Sequence, residues 1–317
     1  MSRSSTLTGL GIAVIAALAF GMSGPFVKPL LDAGWSPAAA VTVRALVGGL
    51  ILAPVAVVTL RGQWSGLWHA RARILAIALI GVAATQLAYF AAIERISVGA
   101  GILIEFMAPL LLVAVVWVRS RKAPKAVVLV GSAFALVGLG LVVSPGGNGS
   151  IDPLGLAFAA AAMAGCAVYF VAAARVDDGL PAVAVASVSL VIGGIALGLI
   201  GLTGLIPFTA SFAAVQLFGG AVAWWIPMLI VAVIATGVAY ATSIKASQLL
   251  GSRLASFAGL LEVVAATFYA WLLLGEQMTF SQLAGGLLIL LGIGFVRSEK
   301  TAAVLPPVEP ATLGRAA

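Results

Sequence analysis

Ten apolar runs parted by short polar breaks constrain this 317-residue chain more than any other feature of its sequence. They cover Leu7–Val27, Pro37–Leu60, Ile74–Ile93, Ser97–Val118, Ala126–Val143, Pro153–Ala174, Pro181–Leu205, Val222–Ser243, Leu254–Leu274 and Phe280–Val296. A bilayer core about 30 Å thick needs about 20 apolar residues per helical crossing, so each run is a candidate crossing. The chain is 62% hydrophobic and only 9% charged, against about 25% charged in an ordinary soluble domain. Soluble globular folding and intrinsic disorder are excluded together. One Cys and one His cannot form a disulfide framework or, by themselves, a zinc site, so no metal is expected. The first run is flanked by a single Arg3 and carries Gly24-Pro25 where a cleavage site would need small residues. It reads as a retained helix rather than a signal peptide.

The basic residues orient the spans. With the N-terminus in the cytoplasm, fourteen of the 17 Lys and Arg fall inside, Lys28 and Arg95 fall outside, and Arg44 lies within a span. The positive-inside rule thus favours ten crossings with both termini cytoplasmic, in a multi-pass protein of the cytoplasmic membrane. The pI near 10.1 reflects topology rather than nucleic-acid binding. The Pro-rich stretch 299–317 reads as a disordered cytoplasmic tail.

The two halves echo each other. At an offset of 154, Trp117, Gly131, Gly138 and Gly140 fall on Trp271, Gly285, Gly292 and Gly294. At an offset of 144, Gly11 and Pro37 fall on Gly155 and Pro181, and Ala88-Tyr89 has a counterpart in Ala239-Tyr240. The expected architecture is all-α, with residues 1–145 and 146–298 forming two five-helix repeats. Five is odd, so the second repeat is inverted. Inverted repeats place a site at their interface that can open to either side, the arrangement of secondary transporters. An old duplication kept in a non-transporting membrane protein is the plainer alternative.

Helix 2 carries Val43-Arg44-Ala45-Leu46, and helix 4 reads Ser97-Val98-Gly99-Ala100-Gly101-Ile102-Leu103-Ile104-Glu105-Phe106-Met107-Ala108-Pro109-Leu110. The second half has Leu261-Glu262-Val263-Val264 and then Trp271-Leu272-Leu273-Leu274-Gly275-Glu276. The chain resembles the drug/metabolite transporter superfamily, with two EamA-type domains over nearly its whole length, and helix 4 is similar to the threonine/homoserine exporter branch. It departs from the pattern where Val263, not Pro, follows Glu262, and where Arg121-Lys122 stands opposite Gly275-Glu276. The resemblance implies export of a small metabolite, an amino acid first. Other organic solutes or drugs, in either direction, are the alternative.

Three ionisable residues lie inside spans: Arg44 about 10 Å from the outer end of helix 2, Glu105 about 12 Å into helix 4, and Glu262 near the midplane of helix 9. A charge at the centre of a membrane helix costs about 2.5–3.5 kcal/mol even on the lenient insertion scale, so each must face the bundle interior or water. Arg44 and Glu105 either form a structural ion pair or bind a zwitterion, Arg44 taking its carboxylate and Glu105 or Glu262 its ammonium. Glu262, and second Glu105, are the candidates to carry a coupling proton. Gln86 and Tyr89 share one face of helix 3, and Thr236 and Tyr240 share one face of helix 8. Ser23, Phe26 and Tyr169 are further candidates for the pocket, with ordinary interhelical hydrogen bonding the alternative for each.

Gly24-Pro25, Pro109 and Pro227 are expected to kink their helices. Gly194 and Gly198 form a Gly-x-x-x-Gly expected to pack within the chain, and Asn148-Gly149-Ser150 reads as a turn. No Walker loop, His-Glu-x-x-His or Gly-x-Ser-x-Gly occurs, so the sequence points to no ATPase, cofactor or enzymatic chemistry. His69 is expected to be solvated, and Cys166 to be a small apolar residue. The expected partners are a small solute, lipid and protons.

Overall fold

A computed structural model describes residues 3–143, 152–173 and 179–298. The expected turn at Asn148 and the tail 299–317 lie outside the described residues. Fourteen helices make up these stretches: α1 Arg3–Gly21, α2 Ser23–Asp32, α3 Pro37–Leu60, α4 Trp64–His69, α5 Arg71–Ala76, α6 Thr85–Ile93, α7 Val98–Glu105, α8 Ala108–Ser120, α9 Ala126–Val143, α10 Pro153–Ala173, α11 Ala182–Leu202, α12 Trp225–Leu229, α13 Ala239–Leu274 and α14 Phe280–Ser298. Two π-helical stretches, Ile77–Ala84 and Ile230–Val238, join α5 to α6 and α12 to α13. Among the described residues, seven segments are long and apolar enough to cross a bilayer, and Ala126–Val142, Gly259–Leu274 and Phe280–Val296 are shorter apolar helices. All ten expected runs are therefore helical. We call the side bearing the start of α1 the amino face, and the opposite side the far face.

Several crossings are broken near their proline. The first divides at Met22, just before Gly24-Pro25, and continues to Asp32, past its expected end at Val27. Lys28 consequently stands in α2 and not in a loop. The fourth divides at Phe106-Met107. There Pro109 has no N–H to give the Glu105 carbonyl four residues back, so Glu105 ends α7 at the break. In the eighth, Pro227 lies just before the π-helical stretch.

Every residue of α13 is helical, yet its contacts show two arms. Tyr240 meets Phe20 edge-on at 5.1 Å, and Gly9 faces Leu250, so this arm runs antiparallel to α1. Gly21 then faces Ala265 and Ala266, so the chain has reversed between Leu250 and Ala265. The eighth and ninth crossings are thus separate, with a helical reversal where a polar break was expected.

The repeat is visible in the packing. Gly131 lies against the Gly292 carbonyl and Gly292 against that of Gly131; Gly138 and Gly285 make the same reciprocal approach. The 154-residue offset pairs 131 with 285 and 138 with 292, so each contact is exchanged with its equivalent, as an isologous two-fold contact requires. Lipid gives helices no hydrophobic reason to associate, so these glycines, which let α9 and α14 touch backbone to backbone, hold the pair by close packing. Between α3 and α11, Gly194 packs on Leu46 and Gly198 on Thr42, the intrachain role expected of that motif. The π-turns repeat as well: Thr85 Oγ1 donates to the Ile80 carbonyl at 2.7 Å and Thr236 Oγ1 to that of Val231 at 2.9 Å, each pair five residues apart and 151 residues from its equivalent.

The far face carries one element outside the helices of the ten apolar runs, a hairpin of β1 Val215–Leu217 and β2 Gly220–Val222. Val215 and Leu217 are buried. Phe218 lies edge-on to Phe26 at 6.5 Å, and Trp224 packs between Trp35 and Phe212. Trp35 Nε1 donates to the Ser211 carbonyl at 2.6 Å, and Ser36 N to that of Thr209 at 2.9 Å. Hairpin and loop form a lid over α2. Asp152 caps α10 by accepting from Leu154 N at 2.8 Å and meets Arg95 at 3.1 Å, both of which hold its carboxyl below the ordinary range.

Candidate functional site

Arg44 is the centre of the only intramembrane polar cluster that the described hydrogen bonds join across four crossings. It is 4% exposed, seven residues into α3 after the Ser36 N-cap and Pro37. Its Nη1 donates to Ser23 Oγ and to Gln86 Oε1, both at 2.7 Å, and its Nε donates to Thr236 Oγ1 at 3.2 Å. The guanidinium also lies 5.5 Å from the centre of the Phe90 ring. The local fold supplies each acceptor. Ser23 sits at the break in the first crossing, Gln86 follows the first π-turn, and Thr236 sits in the second, where it both accepts from Arg44 and donates to Val231.

Three neutral oxygens therefore hold the cation. Arg44 is in neither of the ion pairs Lys28–Glu276 and Arg95–Asp152, and Glu105 makes no hydrogen bond or ion pair to another described residue. A locked Arg44–Glu105 pair is not what the structure contains. Nη2 makes no hydrogen bond to the described residues, so this one nitrogen of the guanidinium is left to donate. Arg44 also borders a small cavity of about 10 Å³, room for a single water, together with Val41, Ala45, Val82, Gln86, Leu190 and Tyr240. Val82, Leu190 and Tyr240 also border a larger cavity of about 150 Å³ that extends toward the amino face between Ile77, Tyr169, Val185, Ser189 and Ile244. Tyr240, Val82 and Leu190 thus stand between an apolar vestibule and the small cavity at Arg44.

The structure brings together Arg44, Ser23, Gln86, Thr236 and Tyr240, with Tyr169 further down the vestibule. Tyr89 is buried on the other side of the cluster, its hydroxyl beside Gly24 and without a hydrogen-bond partner. Phe26 lies toward the far face under the hairpin. Glu105 and Glu262 are half-buried and border neither cavity. Thr85 was not singled out from the sequence, although the offset relating Tyr89 to Tyr240 carries Thr236 onto it. Lys28 and Glu276 were not expected to meet. The polar set itself is not repeated: the residues equivalent to Arg44, Ser23 and Gln86 are Val188, Ala167 and Gly237. His69 is exposed and Cys166 buried.

Comparison with known proteins gives consistent results. The model of the EamA-like transporter family matches residues 7–144 and again 153–298. A curated relative from Salmonella typhimurium, the uncharacterized inner membrane transporter YicL, is 25% identical over 291 residues, covering 90% of this chain and 94% of that protein. A solved crystal structure shares the fold with a TM-score of 0.58 at 17% identity, over 93% of this chain and 96% of the other.

Proposed function

Because this chain belongs to the EamA-like transporter family, and is therefore a membrane transporter, we propose that it moves a small carboxylate-bearing metabolite, an amino acid first, by alternating access. Its setting is the cytoplasmic membrane, in line with the relative described as an inner membrane transporter and with the basic residues clustered toward one face.

The observation that carries the substrate class is the unbonded Nη2 of a buried arginine next to an apolar vestibule. A guanidinium N–H gives a carboxylate a charge-assisted hydrogen bond. Here Nε and Nη1 are engaged by Thr236, Ser23 and Gln86, which fix the cation without neutralising it and leave Nη2 as the donor for a ligand. The apolar walls suit a small hydrocarbon body, and Glu105 and Glu262 are the acidic groups for an ammonium. Either of them taking up a proton would couple transport to a pH gradient, Glu262 being the first choice. Export is the direction the family resemblance suggests.

The test is flux in proteoliposomes: purified protein, labelled amino acids and other small carboxylates, with and without an imposed pH gradient. Arg44→Lys keeps the charge but loses the planar guanidinium and its fixed Nη2 donor. It is expected to raise KM by about tenfold to a hundredfold, the worth of one charge-assisted hydrogen bond, while the protein still inserts. Unchanged KM for carboxylates in that variant, or transport confined to organic cations, would refute the carboxylate reading. Transport that Glu262→Gln leaves equally responsive to the gradient would refute that residue's proton role. No flux of any solute would favour a scaffold.

A further inference from the structure

We infer that the far face holds a second access chamber, closed here, lined by Val41, Thr42, Tyr89, Ile93, Trp224 and Met228 and sealed by a Lys28–Glu276 latch. The inference rests on the reading of the chain as an alternating-access carrier of a carboxylate-bearing solute, and it identifies the surfaces that solute meets on the other side of Arg44.

The lining follows from the repeat. The amino-face vestibule is bordered by Arg73, Ile77, Val185, Ala186, Tyr240 and Ile244, among others. Moved onto the opposite repeat by the offsets of 144 and 151, these six become Trp224, Met228, Val41, Thr42, Tyr89 and Ile93. In a two-fold inverted pair, whatever lines the open chamber of one state predicts what lines it in the other. The structure marks the same positions independently. Buried side-chain polar atoms without a hydrogen-bond partner are rare, since each costs about 1–3 kcal/mol and calls for an explanation. Thr42 Oγ1 and Tyr89 Oη are two such atoms, and both belong to the predicted lining. They gain water when the chamber opens, which accounts for polar groups in a wall that is buried in this state. Trp224, packed half-buried between Trp35 and Phe212 under the lid, would be the residue uncovered first.

The seal is one-sided. Lys28 Nζ donates to the carbonyls of Ile93 at 2.7 Å and Ile96 at 3.2 Å, at the end of α6, and lies 3.7 Å from the Glu276 carboxylate. Glu276 in turn accepts from Val98 N, at the start of α7, at 3.1 Å to both oxygens. One ion pair thus ties α2, the α6–α7 corner and the α13–α14 corner together across the far mouth. At the amino face the equivalents of Lys28 and Glu276 are Ala172 and Lys122, which cannot pair. The side with the latch is shut, and the side without it carries the vestibule.

The experiment uses the full chain with its one cysteine removed by Cys166→Ala, reconstituted in liposomes, and a membrane-impermeant maleimide added from one side at a time. Thr42→Cys probes the far chamber and Ala186→Cys, at the equivalent and half-buried position, the amino-face vestibule. With the latch intact, Ala186→Cys is expected to react from the amino face, and Thr42→Cys slowly and only from the far face. Breaking the latch by Lys28→Met, or separately by Glu276→Gln, which keeps an acceptor for Val98 N, should raise the far-face labelling rate at Thr42→Cys at least tenfold and lower that of Ala186→Cys. Either latch variant giving this paired change supports the inference. Thr42→Cys reacting from the amino face, or staying at the same rate in whichever latch variants insert, overturns it. The readout needs no substrate, so a failed carboxylate assay and a failed labelling experiment remain separate results.

Discussion

Arg121 and Gly275 stand at the same point of the two repeats, 154 residues apart, and both end a helix with left-handed backbone, at φ 53° and 67°. Glycine adopts that conformation freely, whereas an arginine Cβ crowds the following carbonyl at a cost of about 1–2 kcal/mol. Arg121→Gly is therefore expected to stabilise the protein by about 0.5–1 kcal/mol, allowing for the extra freedom glycine gives the unfolded chain. Thermal unfolding in detergent measures it, and an unchanged or lowered midpoint would contradict it. Single residues were legible where physics makes them expensive. A charge in lipid is costly enough that Arg44 stands out, and with it Ser23, Gln86, Thr236 and Tyr240, which lie at the same depth. Lys28 and Glu276 look like ordinary helix-end charges in sequence. Their meeting depends on a contact between positions far apart in the chain, and on a first helix that runs on to Asp32 after its break.

At the scale of elements, the α9–α14 pair separates glycines that pack from glycines that do not. A Cβ on Gly138 would press on the Gly285 carbonyl and lie 2.9 Å from the Ile289 nitrogen, while one on Gly140 would meet nothing within 4 Å. Their equivalents, Gly292 and Gly294, divide in the same way. Gly138→Ala is expected to cost about 1–3 kcal/mol and Gly140→Ala to be neutral or slightly stabilising, both read as shifts in thermal midpoint. Equal effects would mean the two helices are not in backbone contact. Helix existence was legible from the apolar runs, and the two-fold pairing from the offset. The hairpin was not. Its two-residue turn, Phe218-Gly219, has both residues at positive φ, 56° and 73°, and phenylalanine gives no turn signal. What favours it there is tertiary, the ring packed toward Phe26. The π-turns were equally silent, because a threonine in an apolar run does not announce which carbonyl it will bond.

For the molecule as a whole, topology turns on α13. Its 36 residues would extend ~54 Å if straight, nearly twice a hydrocarbon core of about 30 Å. A single crossing by this helix would leave nine crossings in all and put the two termini on opposite faces. The contacts along α1 decide otherwise, since Leu250 faces Gly9 and Ala265 faces Gly21, so the chain descends and returns. That restores an even number, agrees with the charge bias, and keeps the two repeats inverted, which is the condition for one Arg44 to serve chambers on both sides. Reporters fused to the N- and C-termini are therefore expected to lie together on the cytoplasmic side, both fluorescing as cytoplasmic fusions and both inactive as periplasmic ones. A split result would mean that the eighth and ninth crossings are one helix. The two-fold contacts of Gly131 with Gly292 and Gly138 with Gly285 could then not arise from antiparallel helices, and the second chamber would lose its basis.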